Sequence, residues 1–146
     1  MNKIQRPVTL PRAIICDIDG TLAIMGDRYP YDWDKVGVDT LNYPVAKLVE
    51  IMKQYGHIII LCSGRDEVSR GETVKWLKYY QIKYDHLFMR PEKNNRKDSV
   101  VKEEIYNNHI KDKFYVEFVL DDRDQVVELW RKKLGLPCFQ VNYGNF

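Results

Sequence analysis

Ala13-Ile14-Ile15-Cys16-Asp17-Ile18-Asp19-Gly20-Thr21-Leu22 decides the fold: an apolar run that breaks abruptly into two carboxylates, a glycine and a hydroxyl. Four consecutive apolar residues, Ala13 to Cys16, have the unbroken hydrophobicity of a strand buried on both faces, as in parallel sheets. Gly20 marks a tight turn. Asp17 and Asp19 therefore stand at the C-terminal end of a strand, the edge at which open α/β sheets bind ligands. Side chains repeat with period two along a strand, so both carboxylates are expected to face one ligand or one Mg²⁺. The plainer reading of these residues is an Asx-rich turn after a strand. Residues further along the chain weigh against it.

Composition sets the frame around this stretch. With 146 residues, 45% of them hydrophobic, the chain is long enough for one core. It divides into a polar lead-in over residues 1–11 and a single domain over residues 12–146. No apolar stretch approaches the length of a bilayer span, and Met1-Asn2-Lys3-Ile4-Gln5-Arg6-Pro7 lacks an apolar signal region, so a cytoplasmic, intracellular protein without membrane contacts is expected. Cys16, Cys62 and Cys138 are odd in number and embedded in apolar runs, which reads as buried reduced thiols. A formal charge of +2 is too small to argue for nucleic-acid binding, so only local clustering could do so.

Working outward, residues 23–42 read as an irregular loop carrying Tyr29, Tyr31 and Trp33, placed to overhang the acidic strand end. Pro44 opens a helix to Tyr55 with Val45, Leu48, Val49 and Met52 at helical spacing, closed by Gly56. His57 to Cys62 is a second buried strand ending in Ser63-Gly64-Arg65. A helix over about 68–80 and a strand over 85–89 follow. After the basic loop of residues 90–97, Asp98 reads as the N-cap of a helix to about Asn108. Tyr115 to Leu120 is a third strand, ending in Asp121-Asp122. A helix over 123–134 with Val126, Val127 and Trp130 inward, stopped by Gly135, leads to a last strand, Cys138 to Val141. Strands alternating with helices in this way predict a three-layer, Rossmann-like parallel sheet with helices on both faces.

Three strands thus end in chemistry: Asp17 and Asp19, Ser63 and Arg65, Asp121 and Asp122. A parallel sheet would bring them to one edge. Asp98 and Lys102, four apart, share a helix face, although spacing alone equally describes a cap and a solvated pair. The set suits phosphoryl transfer. Asp17 can attack phosphorus, Asp19 can exchange a proton with the leaving oxygen and then with water, and Asp17, Asp121 and Asp122 offer the hard oxygen donors that Mg²⁺ prefers. Ser63 and Lys102 can hold the transferring oxygens. No G-x-x-x-x-G-K-[ST] occurs, so an NTP-binding P-loop is unsupported.

The motifs Asp17-Ile-Asp-Gly-Thr-Leu-Ala, Ser63-Gly-Arg65, a helix-start lysine and Asp121-Asp122 resemble the four motifs of the haloacid dehalogenase (HAD) superfamily. Arg28-Tyr-Pro-Tyr-Asp32, Arg96-Lys-Asp-Ser-Val-Val-Lys-Glu-Glu-Ile105 and Asp121-Asp-Arg-Asp-Gln-Val-Val-Glu-Leu-Trp130-Arg131 resemble, more narrowly, the 3′-phosphatase domains of phage-type polynucleotide kinase/phosphatases, over nearly all of Pro11 to Phe146. The resemblance implies a HAD-like fold without a large cap domain. It also implies Mg²⁺-dependent removal of a 3′-phosphate, with a 2′,3′-cyclic phosphate as a further candidate, from DNA or RNA ends in nucleic-acid repair, in a phage or bacterial setting. It makes Asp17 the nucleophile and Asp19 the general acid/base. Asp17, the backbone carbonyl of Asp19, Asp121 and Asp122 would be metal ligands, and Arg28, Ser63, Gly64, Arg65 and Lys102 would contact phosphate. Arg28, Arg65 and Asp98 would be needed for activity. Lys97 is a second candidate for the phosphate-binding lysine. No kinase half is visible in this sequence, so 5′-phosphorylation is not expected and a separate kinase or ligase is a candidate partner.

The intervals between motifs are too short for a folded cap, so the site is expected to be open and to suit a polymer end. Arg65, Arg70, Lys75, Lys78, Arg90, Lys93, Arg96 and Lys97 could flank it, and Tyr29, Tyr31 and Trp33 could stack on a base; a solvated basic face and loop packing are the alternatives. A small-molecule nucleotide phosphatase of the same superfamily and a non-catalytic end-binding module are the other functional readings.

Overall fold

A computed structural model describes residues 9–146. The expected lead-in over residues 1–11 falls largely outside these described residues. Strand β1 (Arg12–Cys16) is the centre of a five-stranded sheet. On one side lie β4 (Ile58–Asp66) and then β5 (His86–Arg90); on the other lie β6 (Tyr115–Asp121) and then β7 (Cys138–Gln140). All four pairings are parallel. Two short strands, β2 (Ala23–Ile24) and β3 (Thr40–Leu41), form a separate antiparallel ribbon. The helices are α1 (Tyr43–Gln54), α2 (Arg70–Tyr79), α3 (Asp98–Ile105) and α4 (Asp124–Glu128). This is the three-layer α/β fold read from the sequence.

Strand alternation divides the core in two. Ile14 and Cys16 of β1, with Ile59 and Leu61 of β4, pack with Val45 and Val49 of α1 and Trp76 and Leu77 of α2. Ala13 and Ile15, with Ile60 and Cys62, pack with Val101 and Ile105 of α3 and with Val126, Val127 and Trp130. In β6 the alternation would put Val116, Phe118 and Leu120 on one face, yet Val116 joins the second cluster and the other two the first. A register shift explains this: Ala13 pairs with Val116 but Ile14 with Phe118, so one extra residue on β6 flips its facing. All three cysteines are buried and free.

Four details depart from the sequence reading. Residues 23–42 are not a plain loop: β2 and β3 enclose a 3-10 turn, Trp33–Val38, making a small arm beside the strand ends. Strand β4 does not stop at Cys62 but stays extended through Asp66, where pairing with β5 resumes at Arg90. Asp98 is not an N-cap. That position belongs to Lys97, and Asp98 is the first helical residue, which frees its carboxylate to face inward. Finally, α3 and α4 each relax into a π-helical turn, Tyr106–Ile110 and Leu129–Lys133, a change of hydrogen-bond partner that apolar spacing cannot register. Among the described residues no helix is long and apolar enough to cross a membrane.

Candidate active site

Because β1, β4 and β6 run parallel, their C-terminal ends meet at one edge. Asp17 follows β1 and keeps the facing of Ala13 and Ile15, toward α3. There the Lys102 ammonium, 1% exposed, lies 2.8 Å from Asp17 Oδ1, 3.1 Å from Asp121 Oδ2 and 3.5 Å from Asp98 Oδ2. Thr21 Oγ1 donates to Asp17 Oδ2 at 3.0 Å and lies 3.4 Å from Asp122 Oδ1. Asp121 is held in turn by the Trp130 indole N–H (3.1 Å) and by the Asp122 amide (2.9 Å). Gly20 is required here twice over: its φ is +78°, and a Cβ would sit 2.1 Å from Asp122 Oδ2.

Asp17, Asp121 and Asp122 each present an oxygen within 4.8 Å of the others. Three carboxylates against one ammonium leave buried negative charge in excess, and the proton affinities reflect it. Burial, reinforced by Asp121, holds the Asp17 carboxyl well above the ordinary carboxylate range although Lys102 pulls it down. Burial and Asp121 also raise Asp122. Burial alone would lower Lys102, but Asp121, Asp17 and Asp98 reverse that and raise it well above its ordinary value. An all-oxygen, anionic, convergent donor set with charge to spare fits a hard divalent cation such as Mg²⁺.

Asp19 behaves differently from Asp17. The chain turns immediately after Asp17, with Thr21 N donating to Ile18 O at 3.1 Å, so strand periodicity does not carry through; the two carboxylates take different partners while both line one cleft. Asp19, its side chain 40% exposed, accepts from Arg65 Nη2 at 2.7 Å and from Arg28 Nη2 at 3.4 Å. Both arginines are gathered by a residue the sequence reading did not single out. Asp39, at the end of the 3-10 turn, is fully buried; Arg28 grips it with Nε (2.9 Å) and Nη2 (2.8 Å), and Arg65 Nη2 reaches it at 2.9 Å. Thr73 of α2 accepts from Arg65 Nη1 at 3.0 Å, and the Trp76 indole anchors the Asp39 carbonyl at 2.9 Å. Alternation along β4 accounts for the geometry: Arg65 points toward α2 and the arm, while Gly64 faces Asp98, whose Oδ1 would be 2.1 Å from a Cβ there. Ser63, fully buried, uses its hydroxyl oxygen to accept from the Arg65 amide at 3.1 Å.

Asp17, Asp19, Arg28, Arg65, Asp98 and Asp122 line an open cleft of about 810 Å³, and Lys102 is buried against Asp17. The arm lines it with Met25, Arg28, Tyr31 and Trp33, and Arg90, residues 94–98, Arg123, Asn142 and Phe146 also line it. Several of the expected flanking cations are elsewhere. Lys75 pairs with Glu72 on α2, Lys78 lines a separate groove beside α1, and Arg70 is taken up by Glu67 and the Leu87 carbonyl. Arg90 does line the cleft but is engaged by the carbonyls of Gly64, Asn94 and Arg96. Lys102, not Lys97, is the lysine beside Asp17.

A model of the polynucleotide kinase PNKP phosphatase domain matches residues 11–146. The chain belongs to this family. Two solved PNKP-type chains are very similar to it. One, from the Pnkp1/Rnl/Hen1 complex, is 48% identical with a TM-score of 0.94, over 98% of this chain and 50% of that one. The other, from the Pnkp1/Rnl/Hen1 RNA repair complex, is 47% identical with a TM-score of 0.94, over 99% and 47%. A protein of Autographa californica nuclear polyhedrosis virus assigned as a bifunctional polynucleotide kinase/RNA ligase is 39% identical over 83% of this chain but only 18% of its own length. The chain therefore spans about half or less of the PNKP-type relatives it matches. A class C acid phosphatase from Bacillus anthracis shares the fold, with a TM-score of 0.63 at 17% identity over 80% of this chain and 53% of that one.

Proposed function

We propose that this PNKP-family phosphatase domain hydrolyses 3′-phosphate ends of DNA or RNA, with 2′,3′-cyclic phosphate ends as a further substrate, through a phosphoryl group carried on Asp17. The observation that carries the reading is the Asp17–Lys102–Asp121–Asp122 cluster, which meets an open cleft through Asp17 and Asp122. A carboxylate oxygen of Asp17 attacks phosphorus, and the bond from phosphorus to the 3′ oxygen breaks. Asp19 gives that oxygen its proton, then takes one from the water that displaces the Asp17 carboxylate and releases inorganic phosphate. Lys102, Arg65, Arg28 and the Ser63 hydroxyl surround the transferring oxygens, and Gly64 admits them by lacking a side chain. Asp98 positions Lys102 from the next turn of α3. Asp17, Asp121, Asp122 and the Asp19 backbone carbonyl would hold Mg²⁺, which when bound screens the attacking carboxylate from the phosphate.

The relatives named for an RNA repair complex and for a kinase/RNA ligase support a role in intracellular nucleic-acid end repair beside a kinase or ligase. The test is release of inorganic phosphate, with and without Mg²⁺, from matched oligonucleotides bearing a 3′- or a 5′-phosphate, with a nucleoside 3′-monophosphate alongside. Mg²⁺-dependent release from the 3′ end is expected. Release from the monophosphate alone would move the substrate to small nucleotides, and no release from any would leave an end-binding module.

A further inference from the structure

We infer that the cleft has a dedicated subsite for the last nucleotide of a strand: Tyr31 of the arm, with Trp33 set edge to face against it, stacks on the terminal base, and Lys97 of the same cleft takes the phosphodiester that precedes it. The inference rests on the 3′-end phosphatase reading and adds how the polymer is held.

The first observation is the exposure of the arm. Tyr31 is 82% exposed, although loop packing would have covered it, and Tyr29, Ile24 and Met25 are exposed beside it. Tyr31 and Trp33 stand edge to face, ring centroids 6.0 Å apart, and both line the cleft. Rings left open to water beside a phosphate site suit a base, because every base has a π-face.

The second observation is a process of elimination among the cations of the cleft. Arg28 and Arg65 are engaged by Asp39 and Asp19, Arg90 by backbone carbonyls and Asp98, Arg96 by Glu104 and Asn94, and Arg123 by the Phe146 carbonyl. Among the described residues lining the cleft, Lys97 is the one cation whose side chain has no hydrogen-bond or ion-pair partner. An exposed, unpaired ammonium lining the same cleft as Tyr31 and Trp33, while Lys102 is the lysine at Asp17, suits a backbone phosphate rather than the buried reaction centre. The two lysines then have separate tasks.

The third observation is mechanical. Arg28 Nη1 donates to the Tyr29 and Pro30 carbonyls at 3.3 and 3.2 Å, while its Nη2 reaches Asp19 at 3.4 Å. The segment that would hold the base is thus fastened to the general acid/base.

The experiment compares three 3′-phosphorylated substrates: a short oligonucleotide, the same oligonucleotide with a terminal abasic residue, and a nucleoside 3′-monophosphate. In Tyr31→Ala, the kcat/KM preference for the base-bearing over the abasic end should fall about 5- to 100-fold, the size of one lost stacking contact. In Lys97→Ala, the preference for the oligonucleotide over the monophosphate should fall about tenfold, its salt dependence should weaken, and Lys97→Arg should restore both. Equal losses on all three substrates, or preferences unchanged in both variants, would overturn the subsite. Anisotropy titration of Asp17→Asn with the base-bearing and abasic oligonucleotides separates this from failure of the 3′-phosphatase reading. If the parent protein releases no phosphate but still binds the base-bearing end more tightly in a Tyr31-dependent way, the subsite stands without that chemistry. If it does neither, the subsite falls.

Discussion

Asp17 sits in a cluster that has too much negative charge for its single lysine, and this makes two measurements informative. Asp17→Asn should abolish phosphate release, a loss of at least about 10³-fold given the role of a covalent nucleophile, while circular dichroism shows a folded protein; an active Asp17→Asn would remove Asp17 from the nucleophile role. The second concerns protons. Asp17 and Asp122 both bind protons more tightly folded than unfolded, so the protein without added cation should lose stability as pH rises from the ordinary carboxylate range through the raised folded values. Mg²⁺ competes with those protons. The gain in Tm from MgCl₂ should therefore be larger at pH 8 than at pH 5, and a pH-independent gain would argue against the cation sitting among these carboxylates. Asp39 supplies a further test. Asp39→Ala leaves the buried guanidiniums of Arg28 and Arg65 with Asp19 as their remaining carboxylate, and breaking such a buried network costs about 3 kcal/mol or more. Urea denaturation should show that loss, together with a fall in turnover. Asp39 also marks where sequence reasoning runs out. Asp17, Asp121 and Asp122 announce themselves by following apolar runs, whereas Asp39 caps a short 3-10 segment with no periodicity, and only the folded arm brings it to Arg28 and Arg65.

At the scale of elements, the strands and helices were legible because each core face is written in apolar residues at period two or 3.6. What was not legible follows from features that leave this pattern untouched. The extra residue of β6 reverses its facing without changing its composition, and the extension of β4 through Ser63, Gly64 and Arg65 crosses a break in its pairing with β5 that closes only at Asp66 and Arg90. One connection shows how polar residues fix an element's position. Asp85, ahead of β5, accepts from the Ile59 amide of β4 at 2.8 Å and from Lys53 of α1 at 2.7 Å. Burial alone would raise its pKa, but Lys53 and the Ile59 amide outweigh burial and lower it. Its contribution is therefore complete above the ordinary carboxylate pKa and disappears as pH falls through the lowered one. Asp85→Asn should cost about 1–2 kcal/mol near neutral pH, with the gap between variant and parent closing in acid; a gap that holds at low pH would point to packing instead.

Across the whole molecule, the parallel sheet delivers chemistry from sequence positions more than a hundred residues apart to one edge, and the C-terminal segment then braces that edge. Val141 N donates to the Asp121 carbonyl at 3.1 Å, Gln140 to the Asp122 carbonyl at 2.9 Å, and Asp124 N to the Gly144 carbonyl at 2.9 Å. A Cβ on Gly144 would lie 1.8 Å from the Asp122 carbonyl oxygen, so the segment packs directly on the acidic loop. Groups that orient metal ligands from behind are worth about 10- to 100-fold in affinity. Ending the chain after Val141 removes the Gly144 contact and keeps the Val141 and Gln140 bonds; it should weaken Mg²⁺ binding toward the lower end of that range in a calorimetric titration while β7 keeps the sheet intact, and unchanged affinity would show that the Gly144 part of the brace is dispensable.

The same segment carries a practical consequence for anyone handling the protein. Phe146 lines the cleft itself, beneath the Arg123 guanidinium at 5.0 Å from its ring centroid. A polyhistidine purification tag appended there would hang over the entrance, where its imidazoles could capture transition metals beside Asp121 and Asp122 and report a false cation preference. Arg12 opens β1 at the opposite edge of the sheet. Affinity handles, fluorophores and surface tethers belong on that side of the sheet.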